Sequence, residues 1–265
     1  METTPTASFF YQFAFGPEDA LSHLPDESQA AAEQLIVDVI YEAFVTSADE
    51  DYLTARTLAV NELPRGFAWG AGQALEKYFK AFMLFRGKKV KGAPFGRHAI
   101  RALYNAVVAL DPAVADIDIS AHPDVKARLI LIEPTQPIRL PNFIDTIERN
   151  GDPDNRYNAA GIEFDTNLVF ALDSFIFGFR SLIGAPPIEF SLKSFDESIL
   201  TAFRDNNPYF YPISDSENDG ISQHSFKLLA RVNCTTQEYL QKDSGSGVNM
   251  HVLNWLGQRM IIRPL

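Results

Sequence analysis

Apolar side chains along this chain recur mostly at three- and four-residue intervals, the spacing that gathers them on one side of an α-helix. The first such stretch follows Asp26-Glu27-Ser28, polar residues suited to a helix start. A helix is predicted over 28–46, with Ala31, Leu35, Val39 and either Tyr41 or Ala43 on its inner side. Asp49-Glu50-Asp51 places negative charge where it favours the start of a second helix, over 49–61, and Leu63-Pro64-Arg65-Gly66 breaks the pattern. The third helix, 67–86, carries Leu75, Tyr78, Phe79, Phe82, Met83 and Phe85 around so much of its circumference that it is expected to lie buried among several neighbours, with Gly87 as its stop. Further helices are predicted over 97–110, through Ile100, Leu103, Val107 and Leu110, then briefly over 123–131, and over 141–149. A last, strongly apolar helix over 165–183 is closed by Gly184-Ala185-Pro186-Pro187.

The two ends depart from this texture. Near the N-terminus, Phe9, Phe10, Tyr11, Phe13 and Phe15 imply an arm docked on the body. Beyond Pro187, short apolar pieces such as Phe190-Ser191-Leu192 and Arg259-Met260-Ile261-Ile262-Arg263 alternate with polar stretches and a flexible Ser244-Gly245-Ser246-Gly247 joint, which reads as a small mixed, partly β extension. The expected organisation is mainly α: an acidic, aromatic arm and first helix over 1–48, a helical bundle over 49–185 and a small C-terminal extension over 186–265.

With 265 residues, 46% of them apolar, the chain can bury a sizeable core. It has no apolar run near twenty residues and no basic-then-apolar start, so neither a membrane span nor a secretory signal is expected, and a cytoplasmic location follows. A single cysteine, Cys234, rules out an intrachain disulfide and a cysteine-based zinc site. The net charge of −11 is unevenly spread. Residues 1–55 hold eleven acids and no Lys or Arg, whereas residues 76–101 hold eight Lys or Arg against one acid, Glu76. An acidic total therefore does not argue against an anionic ligand.

Motifs for cofactor or metal chemistry are missing, and no cofactor is expected. The histidines at 23, 98, 122, 224 and 251 lack zinc-ligand spacing. Gly70-Ala71-Gly72 lacks the third glycine and preceding strand of a dinucleotide loop, so close helix packing explains it better. Neither a phosphate-binding Gly-x4-Gly-Lys sequence nor a Gly-x-Ser-x-Gly elbow occurs, and Asp215, Glu217 and Asp219 read as a solvated acidic loop.

Four pieces occur in a telling order: Asp51-Tyr52-Leu53-Thr54-Ala55-Arg56, then Gln73-Ala74-Leu75-Glu76-Lys77-Tyr78-Phe79-Lys80-Ala81, then Gly96-Arg97-His98, then Asn155-Arg156-Tyr157. Together they resemble the HEPN family over roughly residues 49–185. The resemblance implies an up-and-down helical bundle that commonly dimerises and, in many members, binds nucleotides or RNA. Catalytic members of that family are metal-independent ribonucleases with an Arg-x(4 to 6)-His motif near the last helix. No histidine here lies five to seven positions after any arginine, and none lies between Arg149 and Arg180. Proton transfer near neutral pH then loses its usual agent, so a noncatalytic role is expected.

The expected ligand is nucleotide or RNA phosphate, captured by Lys77, Lys80, Arg97 and Arg101 with His98 as a further donor and the 88–91 loop as a guide. Gln73, Glu76, Arg156 and Tyr157 are supporting candidates. Each has a plainer structural role open to it. The lysine stems can cover apolar surface while their ammonium groups pair with Glu76, His98 can brace its turn, and Arg156 and Tyr157 can lock the last helix. The alternatives in function are a protein-interaction or homodimer scaffold and, further off, a divergent metal-independent ribonuclease.

Overall fold

In the computed structural model the described residues are 25–92, 94–95, 98–125, 138–153, 155, 162–164, 167–205, 207–211 and 231–232. They form a mainly α-helical, up-and-down bundle. α1 (Asp26–Ile40) runs through a π-helical turn (Tyr41–Thr46) directly into α2 (Ser47–Val60). α3 (Pro64–Phe85), α4 (Ile100–Leu110), α5 (Leu140–Gly151) and α6 (Asn167–Leu182) complete the main body. No helix among the described residues is long and apolar enough to cross a membrane.

α3 is the hub, packing against α1 and its π-turn, α2, α4 and α5. Pro64 starts it, where a missing N–H costs nothing, and Gly87 ends it in the left-handed conformation at φ 66°. The Gly87 and Lys88 amides return to the carbonyls of Leu84 and Met83 at 2.9 and 2.8 Å, capping the helix as its sequence predicts. Phe79 and Phe82 meet Phe175 and Phe179 of α6 with ring centroids 5.6–5.8 Å apart. Gly70 and Gly151 allow close backbone approaches: a Cβ on Gly70 would lie 3.1 Å from the Ala55 nitrogen, and one on Gly151 would lie 2.7 Å from the Ala68 carbonyl oxygen. Gly70 and Gly72 are thus packing positions on a helix.

Two features of the first helices differ from the sequence expectation. Ala31, Leu35 and Val39 face solvent, with Leu35 63% and Val39 57% exposed, while Val37 and Ile40 are buried and Ile36 packs on the core. Apolar residues occupy both sides of α1, and the wider π-turn rotates the chain so that the inward face continues through Val45 and Ala48. Tyr41 is half-buried and Ala43 exposed. Because the helix is continuous, Asp49 does not sit at a free helix start; it is fully buried.

The stretch after Pro187 begins with helix. Phe190-Ser191-Leu192 lies in α7 (Glu189–Leu192), and α8 (Glu197–Arg204) starts at an Asp196 side chain that accepts from the Ser198 amide at 3.1 Å. Both pack on α2, and Ile188, Leu192 and Phe203 enter the same core as the bundle. The described strands are β1 (Glu163–Phe164) and β2 (Arg231–Val232), paired antiparallel with Glu163 opposite Val232. The aromatic arm, the rest of the short helix at 123–131 beyond residue 125, and the extension over 212–230 and 233–265 lie outside the described residues.

Inside the bundle, α2 and α6 exchange charges in a reciprocal pattern. Arg56 of α2 pairs with Asp173 of α6, and Asp49 of α2 pairs with Arg180 of α6. Seven residues separate the partners on each helix, so the two pairs fit only an antiparallel alignment in one register. Tyr52 donates to Asp173 at 2.6 Å, and Tyr78 donates to Asp49. The arginines also donate to backbone carbonyls, Arg56 to Ala202 (3.0 Å) and Asp205 and Arg180 to Pro186, and Arg180 donates to the Tyr78 hydroxyl at 3.2 Å. Asn207 closes the first network by donating to the Tyr52 hydroxyl at 3.0 Å. Burial pushes both carboxyls above the ordinary carboxylate range against the pull of their arginines, and burial with the adjacent carboxylate holds both phenols far up, so the tyrosines stay protonated donors.

Removing one partner strands a buried charge. Asp173→Ala is expected to cost about 3–5 kcal/mol in urea unfolding, and Arg56→Met with Asp173→Leu to recover most of that loss. A double variant as unstable as the single one would contradict the pairing.

Candidate functional site

The most polar stretch of α3 forms one stripe. Trp69, Gln73, Glu76 and Lys80 succeed one another at steps of four, three and four, and Lys77 lies four after Gln73 and three before Lys80, so they share a face of a helix whose other positions are largely buried. That face looks across the π-turn and α2 on one side and towards His98, just before α4, on the other.

Glu76, itself nearly buried, is the centre. One carboxylate oxygen accepts from the Lys80 ammonium at 2.5 Å, and the other lies 2.7 Å from Nδ1 of His98. Gln73 Nε2 is 3.1 Å from the same imidazole nitrogen. A single Nδ1 can donate to Glu76 or accept from Gln73, not both. The shorter contact to a carboxylate decides for donation, which makes Nε2 the acceptor of the neutral ring and able to donate to an anion only in the imidazolium form. Lys80 retains two further N–H donors.

Lys77 turns the other way, to Asp51 at 2.6 Å and the Ser47 hydroxyl at 2.6 Å. Burial raises the Asp51 carboxyl, partly offset by its bond and charge pairing with Lys77. Lys77 and Lys80 are therefore balanced by Asp51 and Glu76, and the cluster is electrically neutral before His98 is counted. Trp69 continues the stripe beyond Gln73, 44% exposed, with its ring centroid 5.6 Å from that of His98 and the planes tilted by 54°.

The remaining candidates fall elsewhere. Arg101 lies against α5, donating to the Pro141 carbonyl at 2.8 Å and to Asp145 at 3.1 Å, and its guanidinium covers the Tyr104 ring. Lys88, Lys89 and Lys91 are exposed on the loop after α3. Arg97, Arg156 and Tyr157 lie outside the described residues. Among the described residues, no group of three His, Cys, Asp or Glu is placed to hold a metal.

Lys77, Lys80, His98, Gln73 and Glu76 thus come together, and Arg101 does not join them. Sequence reasoning missed Asp51 and Ser47 as partners of Lys77, although Asp51 belongs to the acidic cluster opening α2. It also missed Trp69, whose signal was an aromatic one turn before Gln73 on the same face. No protein-family model, curated protein or solved structure matches this chain.

The raised Asp51 carboxyl has a measurable consequence. Folding takes up a proton between the ordinary value of 3.8 and the higher folded value. This contribution to stability is fully present below 3.8 and is lost as pH rises through the folded value. Asp51→Asn is therefore expected to gain stability relative to wild type as pH rises from below that range towards neutrality. Urea midpoints across pH test it, and a variant that loses ground over the same range would contradict it.

Proposed function

We propose that the chain is a HEPN-like, noncatalytic binding protein that captures nucleotide or RNA phosphate along the α3 stripe. The observation that carries this reading is the pairing of the Lys80 ammonium and the His98 imidazole with Glu76 on one partly open face, with the Lys77 ammonium on the same face held by Asp51 and Ser47. Lys80 offers two uncommitted donors, and the exposed Lys88, Lys89 and Lys91 extend positive charge past the end of α3. Asp51 and Glu76 hold the cations in place in the free protein and compete with an incoming phosphate. That competition keeps affinity for single phosphates low and favours ligands with several of them.

A second reading, a homodimer scaffold, has its own observation. Leu35 and Val39 lie one turn apart on the outer face of α1 and remain exposed. Glutamate at both positions is expected to convert a dimer to a monomer in sedimentation experiments, and a mass unchanged by these substitutions removes this reading.

Tripolyphosphate and single-stranded RNA binding over a salt series tests the first reading. The logarithmic affinity for RNA is expected to fall linearly with the logarithm of salt, and replacing Lys88, Lys89 and Lys91 by alanine to reduce that slope by about two. Lys80→Ala weakens binding. Glu76→Gln, which removes the competing carboxylate, strengthens it. A salt-independent affinity, or a Glu76→Gln variant that binds less, contradicts phosphate capture at this stripe.

A further inference from the structure

Phosphate capture leaves one feature of the stripe unused. Trp69 is the largest exposed aromatic on α3, and it stands at the end of the stripe opposite the lysine loop. Its ring contacts His98, the residue that Glu76 orients, so the indole and the cations belong to one continuous surface. The two rings are tilted by 54° and do not cover each other face to face. A large aromatic left open beside phosphate donors is a stacking platform: every nucleobase has a flat face to offer it, whereas a bare polyphosphate has none.

Resting on the phosphate reading above, we infer that the ligand is single-stranded nucleic acid, with an unpaired base stacked on Trp69 and the following phosphates running along α3 to Lys77 and Lys80. The span supports a strand. Sixteen helical steps lead from Trp69 to the end of α3 at Phe85, about 24 Å along the axis, and the exposed Lys88, Lys89 and Lys91 follow. A single nucleotide cannot cover that length, so linked nucleotides are needed to occupy the indole and the lysine loop together. A duplex, whose bases already stack on one another, cannot use the indole.

The chain contains two tryptophans, Trp69 and Trp255, so Trp255→Phe leaves Trp69 as the sole indole reporter. Titrating that variant with an eight-nucleotide oligoadenylate is expected to quench its fluorescence to saturation, while tripolyphosphate binds without quenching. In the otherwise wild-type chain, Trp69→Ala is expected to weaken oligoadenylate binding about tenfold or more, leave the salt slope unchanged and leave tripolyphosphate affinity untouched. Trp69→Phe, which keeps a ring, should restore most of the loss. Oligoadenylate binding of wild-type strength by Trp69→Ala, with no quenching in the reporter variant, overturns the stacking inference while phosphate capture stands. If neither oligoadenylate nor tripolyphosphate binds the wild-type protein, the phosphate reading fails and the stacking inference falls with it.

Discussion

The reciprocal exchange of charge between α2 and α6 is the constraint on which the rest of the bundle rests. A buried carboxylate or guanidinium is costly unless it is paired and its remaining hydrogen-bonding capacity is met. Here each helix contributes one acid and one base, seven residues apart, and each finds its opposite across the interface. Sliding either helix by one turn would break both pairs together. Hydrophobic packing alone tolerates such slips, because one phenylalanine can replace another in a contact; oppositely charged partners cannot be exchanged in that way. The networks also reach beyond the two helices. Tyr78 ties α3 to the Asp49 pair, and the Ala202 and Asp205 carbonyls tie the end of α8 to Arg56. The segment after Pro187 is thereby held by the same interactions that set the bundle.

The polar stripe on α3 follows from this arrangement. With Tyr78 directed inward at Asp49 and Phe79 and Phe82 committed to α6, the residues between them in the helical cycle are forced to the opposite side. Gln73, Glu76, Lys77 and Lys80 occupy that side. The acids that open α2 are divided between the two surfaces: Asp49 is consumed in the core, and Asp51, two residues later, reaches Lys77 at the stripe. One short acidic run thus stabilises the interior and tunes the candidate site. The neutrality of the stripe is a consequence.

Much of the helical framework was legible in the sequence because its signals are local. Gly87 after Arg86, Pro64 at the head of α3 and Gly184 after the last apolar helix mark boundaries through backbone chemistry that no tertiary contact is needed to read. The pairing of Glu76 with Lys80 was equally local. What escaped was set by contacts distant in sequence. Asp173 and Arg180 are the only charged residues in α6, a hint of buried pairing, but their partners lie more than a hundred residues earlier. The inward face of α1 was misread because Leu35 and Val39 are as apolar as Val37 and Ile40, and the π-turn that chooses between them leaves no mark in the residue spacing. Arg101 looked like a neighbour of His98 in sequence, yet the Pro141 carbonyl and Asp145 on α5 draw it away.

The central claim is that a ligand lies on the outward face of α3, supported by a charge-paired interior that does not itself take part. Mapping amide and indole chemical shifts by nuclear magnetic resonance during titration with single-stranded RNA tests this most directly. The account predicts perturbations concentrated at Trp69, Gln73, Glu76, Lys77, Lys80, Lys88, Lys89, Lys91 and His98, with Arg56, Asp173 and Arg180 little changed. Perturbations that spare this face and gather on α1 or α5 would contradict it.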